Sequence, residues 1–178
     1  MITGHVFIAT SLDGFIARSD GDIAWLLERD NADEDHGYDA FIADIDVILM
    51  GRGTFEKMRA IRPWPYTRPV VVLSSTMAQS DLPDDLVEKV RVANKAPEGA
   101  MRMLENAGHR KVYVDGGLLI QSFLRAGLIA DMVITFVPVL LGEGRRLFGK
   151  VGADISLRLE GTQSFPSGLV QSRYRVEA

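Results

Sequence analysis

Three groups of residues in this 178-residue sequence have types and spacings suited to chemistry. The first lies in Lys111–Leu124, KVYVDGGLLIQSFL, where the carboxylate of Asp115 stands directly before Gly116 and Gly117. Val112, Tyr113 and Val114 are β-formers, while Leu118, Leu119, Ile120, Phe123 and Leu124 recur at helical spacing, so the pattern is strand, tight turn, helix. Such a turn aims unpaired backbone N–H groups from the positive end of a helix dipole, a natural seat for a phosphate. The second group is GRGTFEKM, in which Arg52 sits between Gly51 and Gly53 and is followed by Thr54. It comes after the apolar run DVILM and repeats the strand, glycine, helix device. The third is Ser74-Ser75-Thr76, at the end of the apolar stretch Pro69–Ser75.

In a parallel sheet the ends of these strands share one edge. A guanidinium at Arg52 and hydroxyls at Ser74 and Ser75 then converge, a set suited to a phosphate monoester. A pyrophosphate at Gly116-Gly117 with a monoester site beside it describes NADP rather than NAD. Neither glycine turn is a G-x-G-x-x-G fingerprint or a Walker loop. A further carboxylate, Asp35, lies in an acidic run from Asp30 to Asp35 ahead of a helical pattern at Tyr38, Phe41, Ile42 and Ile45.

The elements that position these residues follow from periodicity. His5–Thr10 reads as a first strand, ending in the turn of SLDGFIA, Ser11–Ala17. Strands are expected at Asp46–Met50, Pro69–Ser75, Val90–Ala93 and Lys111–Asp115, and a helix at Ala96–Ala107 with Pro97 and Glu98 near its start. Ala130–Leu141 reads as a long strand in which Pro138 marks an edge or a bulge. Ile155–Thr162 and Leu169–Val176 form a hairpin around Phe165-Pro166-Ser167-Gly168. Alternation of strand and helix followed by strand alone predicts one α/β domain over 1–178, mainly parallel, with an antiparallel addition at its end.

Composition narrows the function classes. The net charge of −4 offers no electrostatic case for nucleic acid or an anionic membrane. Hydrophobic residues at 47% suffice for a substantial core, and no apolar run reaches the ~18–20 residues of a membrane span. With no cysteine there is no thiolate metal site, and a cytoplasmic location is expected. His5, His36 and His109 are too scattered for a metal site, and none of the serines has a G-x-S-x-G setting.

Together, SLDGFIA, GRGTFE, VVVLSS and VDGG, in that order, resemble the dihydrofolate reductase superfamily. The resemblance runs from about Val6 to Phe148. With the segment AGLIADMVITFVPVLLGEG, it is greatest to the reductase domain of the bifunctional riboflavin-biosynthesis deaminase–reductase and its stand-alone relatives. It implies a three-layer fold, helices on both faces of a mainly parallel sheet, closed by the antiparallel C-terminal hairpin. It implies NADPH as cofactor, with Ala9 and Ile16 flanking the nicotinamide and Gly51, Arg52, Gly53 and Thr54 at the phosphates. Arg52, Ser74 and Ser75 would hold the adenosine phosphate; Gly116, Gly117 and Leu118 the pyrophosphate, across a Gly-Gly peptide that is commonly cis in the family.

Asp115 matches the glutamate of the riboflavin-type V-E-G-G motif. Asp35, sixteen residues before Gly51, matches the single substrate-binding acid of dihydrofolate reductases. Both are candidate proton donors, and Phe7, Asp13 and Trp25 are candidate substrate-side residues. Phe7 stands where riboflavin-type enzymes usually carry lysine. The Asp-Pro…Arg stretch that binds their substrate's ribose phosphate is replaced by Glu56-Lys57-Met58-Arg59, leaving Arg59, Arg62 or Arg68 as substitutes. The zinc signature of the deaminase half is absent from a chain without cysteine. The expected activity is NADPH-dependent reduction of a small planar heterocycle, like that of 5-amino-6-(5-phosphoribosylamino)uracil reductase. The alternatives are dihydrofolate reduction and an NADP-binding module without turnover. A homodimer through the C-terminal strands is also implied.

Overall fold

A computed structural model describes residues 1–29 and 33–177, which leaves Asp30 of the acidic run outside the described residues. In chain order the elements are β1 (Thr3–Ser11), β2 (Phe15–Ala17), α1 (Ala24–Leu27), α2 (Tyr38–Ala43), β3 (Val47–Gly51) and α3 (Arg52–Met58). Next come β4 (Val70–Leu73), β5 (Val90–Ala93), α4 (Pro97–Asn106), β6 (Lys111–Asp115) and α5 (Gly117–Arg125). The chain finishes with β7 (Ile129–Val137), β8 (Arg145–Arg146), β9 (Leu157–Ser164) and β10 (Val170–Val176).

Eight strands form one sheet in the order β5-β4-β3-β6-β1-β7-β10-β9. The pairs from β5 to β7 are parallel, and β10 adds antiparallel to β7 and to β9. Continuous apolar runs such as Val47-Ile48-Leu49-Met50, all buried, belong to strands covered on both faces. One face packs Leu49, Val112 and Val114 against Met101 and Leu104 of α4 and Ile120 and Phe123 of α5. The other packs Ile48, Met50, Val70 and Tyr113 against Phe55 of α3 and the half-buried Phe41 and Ile42 of α2. This is the three-layer, dihydrofolate reductase-like arrangement that the sequence predicts.

Three local expectations change. The strand anticipated over Ala130–Leu141 stops at Val137, and Pro138 lies just past its end rather than inside it. It is not an edge strand either, because it sits between β1 and β10. The stretch Pro69–Ser75 narrows to Val70–Leu73, since Ser74 Oγ turns the chain by accepting from the N–H groups of Thr76 (3.2 Å) and Met77 (3.0 Å). Arg145 and Arg146, a basic cluster in the sequence suited to a small anion and assigned to no element there, form β8 and pair with β2 in a separate two-stranded ribbon.

Candidate active site

The strand ends Gly51, Leu73 and Asp115 meet at one edge of the sheet, and the ribbon β2–β8 lies against them. Between these elements is a cavity of about 760 Å³, within the range of cofactor clefts. It brings together eight of the predicted cofactor residues: Ile16, Gly51, Arg52, Gly53, Thr54, Gly116, Gly117 and Leu118. Packing shows why glycine is needed in the turn. Gly116 has φ 102°, and a Cβ there would lie 2.6 Å from Thr54 Oγ1; at Gly117 a Cβ would lie 2.7 Å from the Arg146 carbonyl oxygen. The turn reverses through that positive φ with a trans peptide, contrary to the cis Gly-Gly bond expected from the resemblance; the one cis bond among the described residues is Arg62–Pro63.

Basic groups gather around the same cavity. Arg52 Nη1 donates to Thr76 Oγ1 (2.8 Å), which lies 3.4 Å from Ser74 Oγ, so the guanidinium and the hydroxyl turn are joined. Ser74 and Ser75 stand outside the cavity wall itself, Ser75 exposed beside this link. Arg145 and Arg146 line the same cavity, the Arg145 guanidinium close to the Gly53 turn, which gives the basic pair in the sequence an anion-binding setting. The Arg146 guanidinium lies 4.7 Å from the ring centre of Phe15, and Gln121 Nε2 of α5 donates to the carbonyls of Arg146 (3.3 Å) and Leu147 (3.1 Å). The sequence marks the pair as basic but not its place at this cavity, which depends on a ribbon between residues about 130 positions apart.

Asp115 points to the face of Met50, its partner in β3, among aromatic side chains. It retains some access to solvent, yet its surroundings are largely protein. Burial pushes its carboxyl up from 3.8 to about 6, partly offset by a hydrogen bond from the Gly116 N–H. The neighbouring hydroxyls respond in the same direction. Burial first and the Asp115 charge second raise Tyr38 to about 12 and also raise Tyr66 and Tyr113.

The other named residues are placed differently. Asp35 is exposed, and its Oδ1 accepts from the Gly37 N–H (2.7 Å) at the entry to α2. Its neighbour Glu34 turns inward instead, accepting from Ser167 N (2.8 Å) and Ser167 Oγ (2.5 Å) in the β9–β10 turn. Asp13 is held within the protein: it accepts from Ser11 Oγ (2.6 Å), Leu141 N (3.1 Å) and Gly142 N (2.8 Å), bonds that lower its carboxyl to about 2. Ala9 pairs with Thr135 on the face of Phe7, and Trp25 is buried; neither lines the cavity. Among the described residues no cluster of His, Asp and Glu could hold a metal.

A parallel sheet edge with two glycine turns, flanking arginines and an adjacent carboxyl that favours its neutral form thus stand together on a dihydrofolate reductase-like fold. The family model of the RibD C-terminal domain matches residues 3–171. Uncharacterized protein YwjB of Bacillus subtilis (strain 168) is 32% identical over 164 residues, covering 90% of each chain. The crystal structure of a candidate riboflavin biosynthesis protein from Shewanella sp. PV-4 superposes with a TM-score of 0.93 at 36% identity, over 99% of this chain and all of that one. The deaminase/5-amino-6-(5-phosphoribosylamino)uracil reductase of Thermotoga maritima shares the fold, with a TM-score of 0.76 at 14% identity; the match covers 99% of this chain and 57% of that one. The chain therefore belongs to the RibD C-terminal domain family, the reductase of riboflavin biosynthesis, and is an oxidoreductase. That family uses a nicotinamide cofactor and acts on a heterocyclic pyrimidine. No described helix is long and apolar enough to cross a membrane.

Proposed function

We propose that the chain is an NADPH-dependent reductase of a small planar heterocycle, of the 5-amino-6-(5-phosphoribosylamino)uracil reductase type. The observation that carries this reading is the cavity lined by Gly51–Thr54, Gly116-Gly117 and three arginines, with Asp115 the residue next to Gly116 in the chain. A dinucleotide fits the residues present. A Cβ at Gly51 would project into open space, and one at Gly53 would meet only Arg145 Nη1 at 3.9 Å, so bare backbone faces the volume that phosphates need. Arg52, with Thr76 and Ser74 behind it, receives the adenosine monoester; Arg145 and Arg146 add positive charge to the same cavity. When bound, the cofactor supplies a hydride. Asp115, half-protonated near pH 6, holds the proton that the reduced bond requires.

The folate-type alternative needs Asp35 as its substrate acid, and the exposed, Gly37-bound carboxylate gives it less support. A cytoplasmic homodimer fits the family reading. The test is thermal: NADPH should raise the melting temperature well above the effect of NADH, and Arg52→Ala should erase the difference. Equal stabilisation by both cofactors would sink the monoester assignment. NADPH binding without hydride transfer to any pyrimidine or pterin would favour a binding module instead.

A further inference from the structure

One face of α5 grips the segment that carries the two arginines of β8. Gly117, Gln121 and Arg125 recur at intervals of four along this helix and so form a single stripe. The stripe runs beside residues 146–150, the end of β8 and the irregular chain after it. At Gly117 the Arg146 carbonyl comes so close that a Cβ would lie 2.7 Å from its oxygen. One turn on, Gln121 Nε2 donates to the carbonyls of Arg146 (3.3 Å) and Leu147 (3.1 Å), which uses both protons of its amide. A further turn on, Arg125 Nη1 donates to the Lys150 carbonyl (3.1 Å).

The hold from the other side is slight. β8 is two residues long, and its register with β2 shifts between Phe15 and Ala17. Leu147 is the pivot: its N–H donates to the Gly14 carbonyl (3.0 Å) and its side chain is buried, while Arg146 and Phe148 on either side are exposed. The Arg145 guanidinium donates to the Ser19 carbonyl (3.4 Å), and that of Arg146 lies over the Phe15 ring, neutral partners that leave both charges free to meet an anion. Where those charges stand is therefore set by the backbone of Arg146 and Leu147, and Gln121 is the side chain bonded to both carbonyls.

We propose that Gln121 is a positioning residue for the cofactor, its amide fixing the backbone of Arg146 and Leu147 so that Arg145 and Arg146 meet the phosphates common to NADPH and NADH. The inference rests on the reductase reading above. Arg145 Nη1 lies 3.9 Å from a Cβ built at Gly53, and the Arg146 backbone lies against Gly117, so the pair spans the two glycine turns. The Ser74–Thr76 turn, where Arg52 is linked, is left to the monoester. Gly149 gives an independent handle on the same amide. A Cβ there would lie 2.6 Å from Gln121 Oε1 and 3.1 Å from its Cδ. The obstacle is the far end of a flexible side chain, so Gly149→Ala is accommodated by swinging the amide off the two carbonyls.

The test measures dissociation constants of NADPH and NADH for the full chain by calorimetric titration. Gln121→Met keeps the length and removes the donor. It should weaken both cofactors by the same factor, about tenfold for two neutral hydrogen bonds lost, whereas Arg52→Ala should weaken NADPH alone. The melting temperature without cofactor should move by less than about 3 °C. Gly149→Ala should weaken both cofactors in the parent, yet change them less than about twofold in a Gln121→Ala background, where the amide they share is gone. Unchanged affinity in Gln121→Met, a loss confined to NADPH, or an equal effect of Gly149→Ala in both backgrounds would each overturn the proposal. A larger fall in melting temperature would mark a merely structural role and overturn it too. If the parent binds neither cofactor, the reductase reading itself falls; if the parent binds and Gln121→Met binds equally, the positioning role alone is lost.

Discussion

Replacing Asp115 by Asn should make the protein more stable and less active at once. The folded carboxyl titrates at about 6 against an ordinary 3.8, because burial disfavours its charged form. Between those values the folded chain holds more protons than the unfolded one, so stability falls as pH rises through that window. The gap of about 2.2 pH units, at about 1.36 kcal/mol each, is about 3 kcal/mol of destabilisation fully present at pH 7. Asn keeps the shape and removes the charge. In the cofactor-free protein, thermal melts at pH 7 should rise by roughly 6–12 °C, taking about 2–4 °C per kcal/mol for a chain of this size. The gain should shrink to nothing below about pH 4. Turnover should fall by about 10²–10⁴-fold, the usual contribution of a positioned acid. In the parent enzyme, kcat/KM should decline as pH rises above about 6. A variant that melts lower at pH 7, or that keeps its turnover, would refute the argument that a buried, protonatable acid sits at this turn.

Two other perturbations test the architecture. Gly117→Ala drives a Cβ to within 2.7 Å of the Arg146 carbonyl and 3.0 Å of Ile16, so it should cost about 1–3 kcal/mol and weaken cofactor binding, both measurable in one set of melts with and without NADPH. Asp13→Ala removes the acceptor that ties the β1–β2 turn to Leu141 and Gly142. Because that carboxyl is lowered to about 2, its stabilisation is present above about pH 4 and is lost as pH falls toward 2. Parent and variant melts should therefore differ at pH 7 and converge in acid.

Much of this site is local and therefore legible. A run of buried β-formers, a carboxylate, two glycines and a helical repeat can fold in few ways, so the Asp115–Gly117 turn is readable from a dozen residues. The same holds for Gly51–Thr54. What is not legible depends on partners far away in the chain. Which of the consecutive acids Glu34 and Asp35 turns inward is decided by the Ser167 turn, 133 residues from Glu34. The side chain of Asp13 reads as a possible ligand until the backbone of Leu141 and Gly142 arrives to claim it.

The sequence alone determined the strand and helix pattern, the two phosphate-type turns and the carboxylate beside one of them, because period and turn chemistry act over a few residues. Tertiary structure alone decided the strand order, the ribbon that sets Arg145 and Arg146 over the cavity, and the engagement of Arg59, Arg62 and Arg68 by protein groups. It also decided that Asp115 is buried enough to hold a proton near pH 6. The physical reason is that charge, burial and partnership are properties of a site in space. A chain specifies them only through contacts that exist once it has folded.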